Sequence, residues 1–139
     1  FAPLSAKTAY PSHACRAAVL GEQFNFPVSK ETGMSCMFLD DVIRSILEIS
    51  HAPKACLKSN AYNLHGFHFT AQQLCENLKQ IFPSFEYSFE IDPDVEKLVK
   101  GWPNNVISNS ARIDWNWLPE FDFETSISAM LKLLTHEPN

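Results

Sequence analysis

Short apolar runs alternate along this chain with stretches of helical spacing, which predicts a small mixed α/β domain. Two bulk observations support a packed domain. Hydrophobic residues make up 45% of the 139 residues and charged residues 19%, and there are eleven phenylalanines to fill an interior. A chain of this length has room for one core.

The elements follow in order. Tyr10 to Leu20 reads as a helix with Pro11 in its first turn, where a missing N–H is harmless, and Gly21 ends it. Gln23 to Val28 reads as a strand that Pro27 confines to an edge. Ser35 to Leu39 reads as a short apolar strand. Asp40 and Asp41 then suit the positive end of a helix whose apolar face is Val42, Ile43, Ile46, Leu47 and Ile49. Ala61 to His65 reads as a further strand. Thr70 with Gln73 forms a capping box for a helix that buries Leu74, Leu78, Ile81 and Phe82, and Pro83 closes it. Tyr87 to Ile91 reads as a strand, and Asp92-Pro93 starts a short helix with Val95, Leu98 and Val99 inside. A brief helix spans Ser108 to Trp115, capped by Ser108 or Asn109. A last helix begins near Asp122 and carries Ile127, Met130, Leu131 and Leu134 on one face.

Several function classes are disfavoured. The net charge is −5 and the Lys and Arg residues are dispersed, so no basic face for nucleic acid is expected. No apolar stretch is long enough to span a membrane. Cys15, Cys36, Cys56 and Cys75 form no C-x-x-C pair and read as reduced thiols, which suits the cytosol or the mitochondrial matrix. His65, His68 and Cys75 lie close in sequence, but a strand-end and a loop histidine account for them better than zinc does, so no metal is expected. Gly21, Gly33, Gly66 and Gly101 are too far apart for a phosphate or dinucleotide loop. No Tyr10, Tyr62 or Tyr87 has a lysine four residues later, and no G-x-S-x-G elbow is present. No catalytic residue is therefore expected in this chain. The start, FAPLSAKTAY, has neither Met nor a signal-peptide pattern, and reads as a cut in mid-chain or a processed product.

Two stretches carry more identity. One is MFLDDVIRSILEI at 37–49. The other is GWPNNVISNSARIDWNW at 101–117, which places Trp102, Trp115 and Trp117 within sixteen residues. Large rings such as Trp115 and Trp117 usually serve the core, with Arg112 tying down a carboxylate or carbonyl nearby.

KTAY, MFLDDV, AYNLHGFHFTAQQL, IDPDVEKLVKGWP, SNSARIDWNW and FDFETSISAMLKLL occur in this order. In that order and spacing the chain resembles the extended short-chain dehydrogenase/reductases and, within them, the NAD-dependent L-threonine 3-dehydrogenases. FLDDV marks only the superfamily, whereas the Trp-Pro and SNSARIDWNW block marks the threonine dehydrogenase branch.

The resemblance implies an α/β fold in which residues 1–139 are the C-terminal, substrate-binding lobe of an NAD-dependent epimerase/dehydratase-type protein. A few strands of a Rossmann-type sheet would be present and most of the nucleotide-binding domain absent. NAD would be bound mainly by the missing N-terminal part, which also supplies the Tyr-x-x-x-Lys pair. The implied partner is a small amino-acid substrate, and the complete protein would be a homodimer. Localisation would be the mitochondrial matrix in a eukaryote and otherwise the cytoplasm.

Thr8 matches a threonine in the loop that receives the substrate carboxylate, and Trp102 matches the Trp-Pro on the closing side of the cleft. Asp40 and Asp41 match a helix start that orders loops near the cofactor. The chain departs from the family pattern at Val95, where an arginine is usual, at Ser108 and Asn109, where acids are usual, and at Asn116, where glycine is usual. Two other readings fit less well. A sugar-nucleotide epimerase or dehydratase lobe would want basic residues for a diphosphate. A non-catalytic product would bind a partner through the surface the nucleotide-binding part normally covers.

Overall fold

The computed structural model describes residue 3 and residues 5–136. The order is a single-turn 3-10 helix (Lys7–Ala9), α1 (Tyr10–Leu20), β1 (Phe24–Phe26), β2 (Gly33–Cys36), α2 (Leu39–His51), a 3-10 turn (Lys54–Cys56), β3 (Phe67–Thr70), α3 (Ala71–Ile81), β4 (Tyr87–Phe89), α4 (Pro93–Lys100), α5 (Asn109–Trp115) and α6 (Phe123–His136). The strands form two separate pairs. β1 and β4 are parallel, with Phe24 opposite Tyr87 and Phe26 opposite Phe89. β2 and β3 are antiparallel, with Gly33 opposite Thr70 and Cys36 opposite Phe67.

The fold is therefore a mixed α/β lobe whose only parallel pairing, among the described residues, is three residues long. Its core lies between α1, α3 and α6 and the inner faces of both strand pairs. Tyr10, Ala14, Cys15, Phe26, Phe69, Leu74, Leu78 and Val99 are almost wholly buried there.

Local signals in the sequence set most helix ends. α1 runs from Tyr10 to Leu20 with Pro11 in its first turn. Gly21 then adopts φ 69°, and its N–H reaches back to the Ala17 and Ala18 carbonyls. Thr70 and Gln73 complete both halves of the capping box on α3, at 3.2 and 2.8 Å. Asp92 caps α4 by accepting from the amides of Asp94 and Val95. Asp122 and Thr125 cap α6 reciprocally, at 2.8 and 2.9 Å. α5 ends on Asn116 at φ 61°, a left-handed position that asparagine tolerates better than most non-glycine residues. The asparagine at that point keeps the turn possible without glycine.

The structure corrects several sequence expectations. The second strand is Gly33–Cys36, and Leu39 already belongs to α2. Residues 61–65 form no strand: they run without a sheet partner, and β3 starts only at Phe67. Apolar content alone cannot make a strand, because its N–H and C=O groups need a neighbouring strand to pair with. Ser108 precedes α5 but does not cap it; its hydroxyl accepts instead from the His65 amide at 2.7 Å. Ile81 and Leu98 are about half exposed rather than inside.

The largest correction concerns α2. Ile43, Ile46 and Leu47 are 50, 61 and 55% exposed, while Asp41 and Ser45 face the protein at 0 and 4%. The helix is amphipathic as expected, but its polar side is the one packed against the lobe.

Glycine is required at 66. A Cβ there would stand 2.7 Å from the Cys36 carbonyl oxygen and 2.9 Å from Met37 Cα. Both are backbone atoms, so no side-chain rotation relieves the contact, and the chain crosses β2 closely only without a side chain.

Candidate functional site

Thr8 sits half-buried on the 3-10 turn before α1. Its neighbour Lys7 pairs with Asp92 at 2.6 Å, joining this turn to the N-terminus of α4. The Lys7 ammonium, with the Val95 and Asp94 amides, holds the Asp92 carboxyl below its ordinary range despite some burial.

Beside this tie lies a cavity of about 600 Å³. Phe24, Pro27, Ile91 and Pro93 give it apolar walls, and Asn25, Glu90, Lys7 and Asp92 give it polar ones. Asn25 donates to Glu90 at 3.0 Å. Tyr10 and His13 also line it, and each has a buried polar atom, Oη and Nε2, without a partner among the described residues. Burial pushes the Tyr10 phenol well up, so at neutral pH it is an uncharged group able to donate or accept. Neither residue reads as polar lining in the sequence, where Tyr10 is simply the first residue of a helix.

Trp102 follows the C-terminal end of α4 and is 39% exposed. The Lys7–Asp92 tie lies at the other end of that helix, whose eight residues span about 12 Å. Neither Thr8 nor Trp102 is among the described residues lining this cavity. No described cavity is lined by both Thr8 and Trp102.

Glu96 stands on α4. Its carboxylate accepts from the Ser29 amide (3.0 Å) and hydroxyl (2.7 Å) and from the Thr32 hydroxyl (2.9 Å), and it pairs with Lys100 at 2.6 Å. These bonds tie α4 to the turn between β1 and β2. Burial pushes the carboxyl upward, but Lys100, Ser29 and Thr32 together outweigh it and hold the pKa down to about 2.

A carboxyl depressed in the folded state contributes stability that is complete above the unfolded value near 4.5 and is lost as pH falls towards 2. Denaturant unfolding between these limits is expected to show wild type losing about 2 kcal/mol through this group. Glu96→Gln is expected to be less stable at neutral pH and to lack this part of the acid dependence.

A second carboxylate clamp starts at α2. Asp41, fully buried, accepts from the Glu120 amide (3.1 Å) and the Phe121 amide (3.0 Å) and from Arg44 (2.6 Å). Arg44 also donates to the Leu118 carbonyl and to Glu48, each at 2.6 Å. Burial raises the Asp41 carboxyl, but the Arg44 and amide bonds outweigh it and keep it below the ordinary value of 3.8. The acidic pair thus divides its work. Asp40 remains exposed in the first turn, and Asp41 anchors the 118–121 segment that leads into α6.

The tryptophans divide similarly. Trp117 is wholly buried. Trp115 is half-buried and meets Tyr62 edge-on at 6.0 Å, while the Tyr62 hydroxyl donates to Asp114 at 2.7 Å. Arg112 is exposed and makes no ion pair or side-chain hydrogen bond among the described residues, contrary to the tying role expected of it.

No three His, Cys, Asp or Glu side chains converge on a metal position among the described residues. All four cysteines are free thiols. Nothing described fits a dinucleotide: the glycines are dispersed, and neither strand pair leads through a glycine-rich turn into a helix. No described helix is long and apolar enough to cross a membrane.

No family model matches the chain. It is 28% identical over 129 residues to the mitochondrial L-threonine 3-dehydrogenase of Bos taurus, covering 93% of this chain and 35% of that protein. It is 30% identical over 118 residues to an uncharacterized epimerase/dehydratase of Staphylococcus saprophyticus, covering 84% and 36%. The apo form of the GalE-like L-threonine dehydrogenase from Cupriavidus necator superposes with a TM-score of 0.89 at 27% identity, over 96% of this chain and 48% of that one. The chain is thus similar, in sequence and in fold, to GalE-like L-threonine 3-dehydrogenases of the extended short-chain type. It spans about a third of the length of the curated relatives it matches.

Proposed function

We propose that this chain is the substrate-side lobe of an NAD-dependent L-threonine 3-dehydrogenase-type oxidoreductase and acts together with a nucleotide-binding part. The observation that carries the reading is the inverted α2. An amphipathic helix with Ile43, Ile46 and Leu47 in solvent, next to an extended segment at 61–65 with no sheet partner, is a surface shaped to be covered. NAD and the proton-transfer residues belong to the covering part. The complete protein oxidises the 3-hydroxyl of L-threonine to give 2-amino-3-ketobutyrate.

In this scheme the lobe binds and orients. Thr8 offers a hydroxyl to the substrate carboxylate from the turn held by Lys7–Asp92. Trp102 closes the pocket once the second part completes it. The epimerase/dehydratase reading is favoured only by the name of one group of relatives. The absence of a basic cluster for a diphosphate weighs against it.

The test is L-threonine-dependent NADH formation by the full-length gene product that carries this chain, beside the 139 residues alone. The full-length protein is expected to turn over and the lobe alone is not. Thr8→Ala in the full-length protein is expected to raise KM for L-threonine about tenfold with a smaller change in kcat, the signature of lost ground-state binding. Turnover by the isolated lobe, or none by the full-length protein, overturns the reading.

A further inference from the structure

We propose that a second pocket, where His65–Gly66, the 105–109 link and α5 with Pro119 meet, binds an oxyanion: the carboxylate or phosphate of a small molecule. The pocket encloses about 360 Å³, within the range of small-ligand sites. It shares no described lining residue with the larger cavity beside Thr8. The inference therefore stands whether or not the dehydrogenase reading does.

The chemistry of the walls selects the ligand. Arg112 is the one charged side chain among the described lining residues, and it has no partner among the described residues. A guanidinium can only donate. Trp117 is wholly buried, forms part of the wall, and has an indole N–H without an acceptor. That group too can only donate. The Ser108 hydroxyl already accepts from the His65 amide, which leaves its own proton to donate. His65 contributes a ring nitrogen, Nδ1, that is buried and unpartnered.

Two obligate donors and a hydroxyl proton, with no carboxylate among the described lining residues, make a set biased towards an incoming acceptor. A buried donor left unpaired costs about 1–3 kcal/mol, so an incoming acceptor is favoured before any charge is counted. An anion adds the charge-assisted bond to Arg112. A cation finds no carboxylate among the described lining residues.

The test uses the ¹⁵N-labelled 139-residue chain, whose three tryptophans give three indole N–H signals. Potassium phosphate and sodium acetate are titrated separately against matched sodium chloride. The Trp117 indole signal is expected to move saturably with one or both anions, and the signal of Trp102, outside the pocket, is not. Saturation with acetate alone assigns the pocket to carboxylates, and with phosphate alone to phosphates.

Arg112→Gln, at an exposed position that leaves the core intact, is expected to weaken the binding at least tenfold while the rest of the spectrum is unchanged. The proposal is overturned if the Trp117 signal fails to saturate with either anion. It is equally overturned if Arg112→Gln binds as tightly as wild type.

Discussion

Asp41→Ala is expected to lower the unfolding free energy by about 4 kcal/mol, within the range for breaking a buried charged pair by removing one partner. The reason is the number of groups left stranded. The Glu120 and Phe121 amides lose their acceptor, and Arg44 loses the carboxylate that holds it at 2.6 Å. The 118–121 segment then has little to hold it at the start of α2, and the entry into α6 loosens with it.

Urea unfolding at neutral pH measures the loss. Because the folded state holds the Asp41 carboxyl below its ordinary value, its contribution is present above that value and fades as pH falls through the depressed one. The gap between wild type and variant should therefore narrow in acid. A loss below about 1 kcal/mol at neutral pH would place this carboxylate with ordinary surface groups. Asp41→Asn keeps the bulk and one acceptor oxygen, so it is expected to fall between the two.

The second large effect is on association. The double substitution Ile43→Glu with Leu47→Lys removes two of the largest apolar groups from the exposed face of α2. Both side chains are at least half in solvent, so each change is expected to alter stability by no more than about 0.5 kcal/mol. The new pair is spaced i,i+4 with the acid N-terminal, which favours the helix slightly.

Sedimentation tells the rest. The wild-type lobe is expected to self-associate at micromolar concentrations through this face, and the double variant to remain monomeric. In the full-length gene product the same pair is expected to abolish threonine-dependent turnover, because the covering part loses its seat. A stability loss above about 2 kcal/mol in the isolated lobe would mean that the face is packed inside it, which removes the basis for the proposed lobe.

The outcome for α2 also shows where reading the sequence stops. Helical spacing correctly marks an amphipathic helix after Asp40 and Asp41, but spacing has no sign. It says that one face is apolar, not that this face meets the chain's own core. Burial goes to the polar side because Asp41 satisfies two amides and Arg44 a carbonyl there, and those partners lie some eighty residues away at 118–121.

The segment at 61–65 fails for a related reason. Its composition is suited to a strand, yet pairing requires a second strand that this lobe does not provide. Glu96 carries no mark in the sequence, and only the fold brings Ser29 and Thr32 to it.

What the sequence by itself determined was local or carried by motif. It determined the bounds of α1 through Pro11 and Gly21, the caps at Thr70 and Asp92, and the start of the last helix near Asp122. It also determined the likeness to threonine dehydrogenases, through segments that keep their order. Each of these depends on residues within a few positions of one another, or on plain succession along the chain.

The tertiary structure alone decided which face of α2 is left in solvent and that Asp41 is a clamp. It also decided that Tyr10 and His13 line the cavity beside the Lys7–Asp92 tie, and that Arg112 stands, among the described residues, unpaired beside a buried indole N–H. Those facts depend on partners distant in sequence, and no local pattern encodes which buried donors and acceptors will find one another once the core closes.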